Sequence, residues 1–299
     1  MSLLPRKGSQ LDRITLIDSP YLCFRSFFAL KNIGKDGEIP TNQIIGGFLT
    51  QLLSLVSADF STNFVFCWDS KKSLRKQIYP EYKAGRHKDK TPESEAQYQS
   101  LYYQMNVLRQ DVLPRIGFKN VFMQTGLESD DLIAKIIQDD NGEEPGSRAV
   151  YSIVSSDEDL YQVLDRNVLI RDPWTKKSMS ESLFVREYGI PAKKWVFVKA
   201  LAGCTSDNVK GIDGIGEKTA VRYLKGEAIP GIKGELLKEQ AGTIVKKNLI
   251  IVKLPHPSTI SMEIVPNEFS FENLIVVMKE HGLKEMLKRD ASQWKRICQ

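Results

Sequence analysis

The densest group of acidic residues lies in Gly126-Leu-Glu-Ser-Asp-Asp-Leu-Ile133, at the start of an apolar helical pattern. One acid there would need no special function, because a carboxylate suits the positive N-terminal end of a helix dipole. Glu128, Asp130 and Asp131, however, place three carboxylates within four positions, where they repel one another unless a cation neutralises them. Hard divalent ions such as Mg²⁺ prefer oxygen ligands of this kind. The segment therefore predicts a metal site.

Four more acids follow segments that are typical of short buried strands. Asp18 and Asp69 each end one such segment, and Asp157 and Asp159 follow another. A single aspartate after a strand is commonly a turn or capping residue, so neither Asp18 nor Asp69 is strong evidence alone. All seven acids together exceed the needs of one Mg²⁺. They fit two ions about 4 Å apart, an arrangement that cleaves phosphodiesters.

An α/β fold would bring these acids together, and the sequence predicts one. Helical patterns, such as Ile44, Phe48, Leu52 and Leu55, alternate with the strand segments. This alternation predicts a mostly parallel central sheet flanked by helices, in which ligands bind beyond the carboxyl ends of the strands. The expected strands are Ile14–Asp18, Asn63–Asp69, Asn120–Gln124 and Ala149–Ser155.

Beyond about Arg171 the pattern becomes largely helical, which predicts a boundary near residue 178. We expect a catalytic α/β domain over residues 1–178 and a helical DNA-binding region over residues 179–299. The expected helices of the second region are Leu183–Tyr188, Ala192–Ala202, Lys218–Leu224, Leu236–Leu254, Glu272–His281 and Leu283–Lys295.

Composition excludes several other classes of protein. Of 299 residues, 41% are hydrophobic and 26% are charged, which is ordinary for a globular chain with a core. No run of about 18 apolar residues predicts a transmembrane helix, and Met1–Arg13 lacks the apolar segment of a secretory signal. The four cysteines and three histidines form no CxxC pair and favour neither a zinc site nor a disulfide framework. A cytoplasmic protein without membrane contact is expected, in the host cytoplasm if a phage encodes it.

Positive charge is concentrated in Lys71–Lys90, which contains eight Lys or Arg residues against Glu81 and Asp89. This segment alone carries +6, whereas the whole chain carries +5. A solvated basic loop is one interpretation, and a surface for nucleic-acid phosphates is the other. Tyr79 and Tyr82 favour the second, because aromatic rings stack on bases. The predicted DNA contacts of this segment are Arg75, Lys76, Lys88 and Lys90.

The glycine-rich segment Gly211–Ala220 resembles an ATP-binding P-loop only superficially, because Glu217 separates Gly216 from Lys218. A helix–hairpin–helix over about 203–225 is the better interpretation, and an ordinary turn between packed helices is the alternative. In such a motif glycines let the backbone approach a DNA phosphate, and basic residues surround the contact. The predicted contacts of the hairpin are Lys210, Gly214, Gly216, Lys218, Thr219 and Arg222.

Several stretches of the chain, between Ile14 and Leu224, resemble the 5′-nuclease family of bacteriophage 5′-exonucleases, flap endonucleases and the 5′-nuclease domain of bacterial DNA polymerase I. LIDSPYLCFRSFFA is similar to the family's first strand and helix, and FCWDSKKSLRKQIYPEYKAGR to its most recognisable stretch. GLESDDLIAKI and SSDEDLYQVL match its two acidic motifs. ALAGCTSDNVKGIDGIGEKTA is similar to its last acidic motif joined to the hairpin.

The resemblance implies roles for individual residues. Lys83 and Arg86 would reach the scissile phosphate, and Tyr82 would stack on a base. The basic stretch would lead into a helical arch, about 84–112, through which a single-stranded 5′ end is threaded. The hairpin would bind duplex DNA and can hold a K⁺ ion. The implied metal-site acids are Asp18, Asp69, Glu128, Asp130, Asp131, Asp157, Asp159 and Asp207.

One position departs from the family pattern. The family has two acids in its last acidic motif, Gly-Asp-x-x-Asp-Asn, whereas this chain has Gly203-Cys-Thr-Ser-Asp-Asn208. Cys204 therefore takes the place of the first acid, and a neutral thiol is a poor ligand for Mg²⁺. A second metal ion would bind here more weakly or through water.

We therefore expect a structure-specific 5′-nuclease that uses two Mg²⁺ ions, or Mn²⁺ in their place, to hydrolyse DNA to 5′-phosphate and 3′-hydroxyl products. Its expected substrates are DNA with 5′ flaps, forks or free 5′ ends, including RNA-primed ends. It is expected to act in replication or repair as a monomer, with replication proteins as partners.

Other functions are weighed against this one. The main alternative is a flap- or fork-binding protein whose catalysis is weakened because Cys204 replaces an acid. A DNA glycosylase with a hairpin is disfavoured, because its chemistry has no place for the acidic clusters. A phosphatase of the Asp-x-Asp type is disfavoured because Ser19 and Pro20 follow Asp18.

Overall fold

The computed structural model describes residues 13–31, 42–58, 60–87, 91–140, 148–172 and 174–295. Lys88 and Lys90, two of the predicted DNA contacts, lie outside the described residues, as does the side chain of Arg86. Among the helices within these ranges, none has the length and apolar character needed to span a membrane.

A six-stranded sheet forms the centre of the fold. Its strands are β1 (Arg13–Asp18), β2 (Phe64–Cys67), β3 (Val121–Phe122), β4 (Val150–Val154), β5 (Val168–Asp172) and β6 (Lys177–Ser180). Across the sheet they lie in the order β3-β2-β1-β4-β5-β6, and only β6 is antiparallel to its neighbour. The predicted mostly parallel sheet is confirmed. Because β1 lies between β2 and β4, Asp18 at its carboxyl end is flanked by the ends of both strands.

Helices cover both faces of the sheet, because the strands are apolar on both sides. In β2, Val65 packs into one hydrophobic core and Phe66 into the other. The helices are α1 (Ser19–Lys31), α2 (Gln43–Ser57), α3 (Leu74–Ile78), α4 (Pro92–Val107), α5 (Leu113–Arg115), α6 (Ser129–Asp139), α7 (Glu181–Tyr188), α8 (Trp195–Ala202), α9 (Glu217–Leu224), α10 (Ile232–Val252), α11 (Phe271–Glu280) and α12 (Lys284–Trp294). The predicted arrangement of a sheet flanked by helices is confirmed.

The sequence patterns predict α7 to α12 closely, but they do not predict β5 and β6. Strand β6 is a short, half-exposed edge strand with the sequence Lys-Ser-Met-Ser, so it lacks the apolar run by which buried strands are recognised. It pairs antiparallel with β5, with Leu169 opposite Ser180 and Asp172 opposite Lys177. The central sheet therefore extends across residue 178. The division into residues 1–178 and 179–299 stays a prediction.

The segment predicted to form an arch, about 84–112, is in part packed against the body. Helix α4 continues through a π-helical turn, Leu108–Val112, into α5. Leu101 and Leu108 are fully buried, and the Gln104 side chain accepts a hydrogen bond from the Ile44 N–H at 2.9 Å. The second half of α4 therefore belongs to the body. For the first half of α4 and the residues before it, the arch stays a prediction.

A short β-hairpin follows α8, and the glycine-rich turn comes after it and leads into α9. The strands of the hairpin, β7 (Gly203–Cys204) and β8 (Val209–Lys210), pair antiparallel. A Cβ on Gly203, which has a φ of +75°, would lie 2.4 Å from the Gly211 nitrogen. A Cβ on Gly211 would lie 2.3 Å from the Ala202 carbonyl carbon. These two glycines therefore allow the hairpin to lie directly on the end of α8.

Candidate active site

Asp18 ends the central strand, and two serine hydroxyls hold its carboxylate. Ser129, the first residue of α6, donates from Oγ to Asp18 Oδ1 at 2.9 Å. Ser155, which follows β4, donates from Oγ to Asp18 Oδ2 at 2.8 Å. Desolvation by burial, reinforced by the negative charge of Asp69, raises the pKa of Asp18 to about 7. The carboxylate is thus oriented from both sides and would be stabilised by a cation.

The acids that follow β2 and begin α6 meet beside the end of β1. The Ser129 N–H donates to Asp69 Oδ1 at 2.8 Å, which joins the two segments. Asp69 is an exposed residue, yet desolvation of its carboxylate and then the charge of Glu128 raise its pKa. Burial and the charges of Asp131 and Glu128 raise the pKa of Asp130 well above its ordinary value. Glu128 therefore lies near enough to both Asp69 and Asp130 to influence their protonation.

Asp131 has a different environment from its neighbours. It is fully buried, and with Glu128 it forms a capping box in which Asp131 Oδ2 accepts from the Glu128 N–H at 3.2 Å. Arg75 forms a bidentate ion pair with it, and the His256 N–H donates to Asp131 Oδ1 at 2.8 Å. Because both oxygens are engaged within the protein, the predicted metal-ligand role of Asp131 is revised to a positioning role.

Arg75 is the clearest departure from the predicted DNA contacts. It is 2% exposed, and its Nε donates to the Ile251 carbonyl oxygen at 2.7 Å. Burial alone would lower the pKa of Arg75, but the hydrogen-bonded Asp131 raises it, so the guanidinium stays charged. The prediction that Arg75 contacts DNA is wrong, because its charge is neutralised inside the protein. Lys76, the next residue, is exposed.

Tyr82 and Lys83 both contact the carboxylate of Glu128. The Tyr82 hydroxyl donates to Glu128 Oε2 at 2.9 Å, and Lys83 Nζ donates to the same oxygen at 2.8 Å. Tyr82 is only 3% exposed, and burial followed by the charges of Glu128 and Asp207 raises its pKa. A ring this buried offers no face to a base, so the predicted stacking role of Tyr82 is wrong. Lys83 is half-buried and places a positive charge among the acids.

The loop that carries Tyr82 and Lys83 is fastened to the last acidic motif. The Lys83 N–H donates to the Asp207 carbonyl oxygen at 2.8 Å, and Asn208 Nδ2 donates to the Glu81 carbonyl oxygen at 2.9 Å. Lys83 and Asn208 adopt positive φ values of 54° and 58° at this junction, a conformation that asparagine tolerates better than most residues. The Tyr82 hydroxyl, which binds Glu128, also lies 3.4 Å from Asp207 Oδ2, so the loop connects Asp207 to Glu128.

A second group of donors surrounds Cys204. One donor atom each from Asp159, Cys204 and Asp207 lies within 4.8 Å of the other two. Asp157 accepts a hydrogen bond from the Asp159 N–H at 2.8 Å. Desolvation and then the charge of Asp159 raise the pKa of Asp157 to about 6, although the residue is exposed. Ser155 links the two groups, because its Oγ donates to Asp18 Oδ2 at 2.8 Å and accepts from the Asp157 N–H at 3.1 Å.

Lys199 links this second group to the hairpin. This residue of α8 is 8% exposed, and its Nζ lies 3.0 Å from both Asp159 Oδ1 and Glu217 Oε1. Burial alone would lower the pKa of Lys199, but the charge of Asp159 and the hydrogen bond to Glu217 raise it. Glu217 is the first residue of α9, so Lys199 ties the acid to the helix that follows the hairpin.

The charges of this site fit bound divalent cations. The site has eight acids, including the positioning residue Asp131, and among the described residues Arg75, Lys83 and Lys199 form ion pairs with acids of this set. Burial, and after it the neighbouring negative charges, raises the pKa values of four of the acids. Carboxylate oxygens are the ligands that Mg²⁺ and Mn²⁺ prefer. The residues that could hold the ions are Asp18, Asp69, Glu128, Asp130, Asp157, Asp159 and Asp207.

The predicted DNA contacts in and around the glycine-rich turn, which follows the β7–β8 hairpin, lie on the surface. Gly214 and Gly216 are exposed, and no atom lies within 4 Å of a Cβ built on Gly216. Gly214 has a φ of +73°, which favours glycine. The other predicted contacts are exposed, apart from the half-buried Thr219, and they are Lys210, Lys218, Thr219 and Arg222. The backbone of the turn is thus open to a large ligand.

Sequence reasoning missed the residues that position the acids. Ser129 and Ser155 orient Asp18, Lys199 binds Asp159, and Asn208 fastens the loop at Glu81. Another is the buried Asn248, which donates from Nδ2 to the carbonyl oxygens of Ala200 at 2.8 Å and Lys210 at 2.9 Å. Proximity to the acidic motifs is the one sequence signal that marks Ser129, Ser155 and Asn208. The sequence carries no comparable signal for Lys199 or Asn248.

Curated relatives are similar in sequence to this chain over most of its length. The thermostable DNA polymerase I of Thermus thermophilus is 33% identical over 214 residues, which are 71% of this chain and 24% of the polymerase. DNA polymerase I of Bacillus caldotenax is 28% identical over an alignment of 301 positions, which covers 93% of this chain and 32% of that protein. The chain thus spans a quarter to a third of the length of these relatives.

Solved structures share the fold. A bacteriophage T5 flap endonuclease in complex with DNA and metal ions matches with a TM-score of 0.64 and 19% identity, over 95% of this chain and 99% of that one. Flap endonuclease-1 from Methanococcus jannaschii matches with a TM-score of 0.58 and 14% identity, over 97% and 94%. The family model for the 5′-3′ exonuclease N-terminal, resolvase-like domain matches residues 13–189. The chain therefore belongs to the 5′-3′ exonuclease family.

Proposed function

We propose that this protein is a Mg²⁺-dependent, structure-specific 5′-nuclease that hydrolyses DNA phosphodiesters to 5′-phosphate and 3′-hydroxyl products. The observation that supports this most strongly is the convergence of acids from β1, β2, α6, the loop after β4 and the hairpin beside one lysine, Lys83. Two divalent ions held by these acids would activate a water nucleophile and stabilise the charge of the reacting phosphate.

The residues of the chain have separate parts in this reaction. Ser129 and Ser155 hold the Asp18 carboxylate in one orientation, which keeps the donor set preorganised. Lys83, 2.8 Å from Glu128, donates to the phosphate oxygens where negative charge develops. Tyr82 and Asn208 hold the Lys83 loop against Asp207. We propose that Arg86, which belongs to the same basic segment, also contacts the phosphate.

We propose that the exposed hairpin binds the duplex beside the site. The backbone at Gly214 and Gly216 approaches a phosphate, and the N–H groups at the start of α9 donate to it. A K⁺ ion on the backbone carbonyls of the turn would neutralise charge between the turn and the phosphate. Lys210, Lys218 and Lys76 add contacts that do not depend on base sequence.

The proposed substrates are DNA molecules with 5′ flaps, forks or free 5′ ends, including RNA-primed ends. An arch formed by the first half of α4 and the residues before it would admit a single strand to the acids. We propose that the protein acts as a monomer in the cytoplasm, beside the proteins of replication or repair.

Cleavage of 5′-labelled flap and blunt duplex DNA, with and without Mg²⁺, tests the proposed activity. We expect cleavage near the junction of the flap only with Mg²⁺ or Mn²⁺, and short 5′-labelled products from the blunt duplex. The Lys83→Ala protein should lose roughly 100-fold or more in single-turnover rate. Its affinity for the flap in EDTA should be close to that of the wild type. Metal-independent cleavage, or loss of affinity without loss of rate, would contradict the proposal.

The second candidate function is a flap-binding protein with weakened catalysis, and Cys204 is the observation that favours it. The thiol lies among Asp159 and Asp207, where a carboxylate would bind Mg²⁺ better. If catalysis is weakened, Cys204→Asp should raise the cleavage rate strongly at low Mg²⁺. An unchanged rate would show that the thiol is tolerated and would favour the nuclease.

A further inference from the structure

The cluster of Asp159, Cys204 and Asp207 combines one sulfur with carboxylate oxygens. One donor atom from each residue lies within 4.8 Å of the other two. Ligands on a single tetrahedral ion lie roughly 3 to 4 Å apart, given bond lengths of about 2.0–2.3 Å. Small side-chain rotations would therefore bring the three donors onto one ion.

The hairpin backbone and a side-chain ion pair hold these donors in place independently of any ion. Cys204 pairs with Val209 in the hairpin, and Asp207 lies between them in a single 3₁₀ turn. Asp159 is fixed from another direction by Lys199, which in turn contacts Glu217 of α9. The arrangement is therefore partly preorganised, and it differs from a chance meeting of flexible surface side chains.

Cys204 is the one described cysteine that can reach an ion. Cys23 and Cys67 are fully buried in the hydrophobic cores, whereas Cys204 is half-buried and its Sγ lies 3.1 Å from Ser206 Oγ. Cys298 lies outside the described residues. A thiol placed between two carboxylates favours a different class of ion from the oxygen ligands around Asp18, because thiolate sulfur selects softer cations.

We propose that Asp159, Cys204 and Asp207 bind a thiophilic divalent ion, of the class of Zn²⁺, Co²⁺ or Cd²⁺, more tightly than Mg²⁺, while the acids around Asp18 keep the preference for Mg²⁺. The inference rests on the proposed function, because it assigns ion preferences to the two halves of one metal site. Binding deprotonates the Cys204 thiol, forms a metal–sulfur bond and releases the proton to solvent. No change of oxidation state takes place.

Titration with Co²⁺ tests the proposal, because a cobalt–thiolate bond produces an intense near-ultraviolet charge-transfer absorption that carboxylates do not produce. The parent protein is the full chain with Cys298→Ser, which removes the one thiol outside the described residues. We expect the absorption to saturate at one Co²⁺ per chain and to survive a large excess of Mg²⁺. The band should be absent in the Cys204→Ser and Cys204→Asp proteins, and Zn²⁺ affinity should fall by roughly tenfold or more in Cys204→Ser.

The matched control is Ser206→Ala, which removes a neighbour of the thiol but no proposed ligand, and it should keep the absorption. A parent protein that binds Co²⁺ without the absorption, or an absorption that persists in Cys204→Ser, overturns the inference. In either case Mg²⁺-dependent cleavage can still be intact, so the proposed nuclease function survives. Loss of both Mg²⁺-dependent cleavage and all divalent-ion binding would overturn the proposed function as well.

Discussion

The two halves of the candidate site are built in different ways. The first half consists of acids at the ends of parallel strands and at the start of α6, and serine hydroxyls orient its central residue, Asp18. The second half consists of Asp157, Asp159 and Asp207 on loops and the hairpin, with Cys204 among them. The first half has only oxygen donors, whereas the second has a sulfur donor. The sheet fixes one half, whereas the hairpin backbone and a long-range ion pair fix the other.

This difference indicates where variation is tolerated in the site. The end of β1 lies between β2 and β4, so any change at Asp18 also affects the ends of two neighbouring strands. Cys204 lies in a two-residue strand of a separate hairpin, where a new donor alters one ligand position and leaves the sheet unchanged. A change of metal preference is therefore more easily accommodated in the second half.

The largest expected effect is the loss of cleavage when the oxygen-only half loses an acid. Asp130→Asn keeps the volume of the side chain but removes a charge, and it should lower the Mg²⁺-dependent cleavage rate by roughly 1,000-fold. Asp207→Asn should cost less, roughly tenfold, because the neighbouring thiol already makes that half a poor Mg²⁺ site. Single-turnover rates on a 5′ flap measure both losses. Equal losses in the two variants would remove the proposed difference between the halves.

Removal of Arg75 should test the internal support of the first half. Arg75→Ala leaves the fully buried Asp131 without its bidentate partner, so the free energy of unfolding should fall by about 3–5 kcal/mol. Lys76→Ala is the matched control, because Lys76 is the exposed neighbour in α3 and its loss should change stability by less than about 0.5 kcal/mol. Urea denaturation measures both values. Similar small losses in the two variants would show that the ion pair does not support α6.

The pH dependence of stability should report the crowding of charge around Asp18. Its pKa in the folded protein, about 7, lies above the ordinary value of 3.8, so the folded state holds a proton that the unfolded state has lost. The metal-free protein should therefore lose stability as pH rises from about 4 to about 7, and the loss should be complete above that range. Asp157, with a pKa of about 6, acts in the same direction. His256 acts in the opposite direction, because its pKa is lowered by burial.

Melting temperatures in EDTA at about pH 6 and pH 8 check this expectation. The wild type should melt at a higher temperature at the lower pH, because Asp18 is then largely protonated. Asp18→Asn keeps Asp130, Asp157 and His256 but removes one titrating carboxyl, so the difference between the two pH values should shrink. A wild type that is more stable at the higher pH would argue against the crowded acidic site.

The smallest expected effect belongs to a single lysine of the hairpin. Lys218 is exposed at the start of α9, so Lys218→Ala should weaken duplex binding modestly. The slope of log affinity against log salt should fall by about one unit if Lys218 contacts one phosphate. Lys225→Ala, at the other end of α9, is the matched control and should leave the slope unchanged. The same slope in both variants would place the duplex elsewhere.

The sequence predicts the sheet well because its strands give local signals, and the same kind of signal marks the acids, whose roles as metal ligands stay predictions. Four of the six strands are apolar runs, and each acid of the first half lies at or just after the end of a strand or in the first turn of a helix. The sequence does not distinguish Asp130 from Asp131, although they are neighbours with the same side chain. Their difference arises from Arg75, which lies 56 residues away and reaches Asp131 only in the folded chain.

The other misinterpretations have the same physical cause. Arg75 and Tyr82 belong to a strongly basic segment, so their residue types favour DNA contact until the burial of each is known. The contacts of Lys199 with Asp159 and Glu217 likewise depend on the relative placement of α8, α9 and the loop after β4. Local patterns contain no information about such pairings, whereas acids at the ends of strands are positioned by the sheet itself.

The number of divalent ions that the protein binds tests the central claim most directly. Calorimetric titration of the metal-free protein with Mn²⁺ should give two ions per chain, and the Asp18→Asn, Asp69→Asn and Asp130→Asn proteins should each lose at least one of them. Binding that these substitutions leave unchanged, or an absence of Mn²⁺ binding in the wild type, would contradict the account.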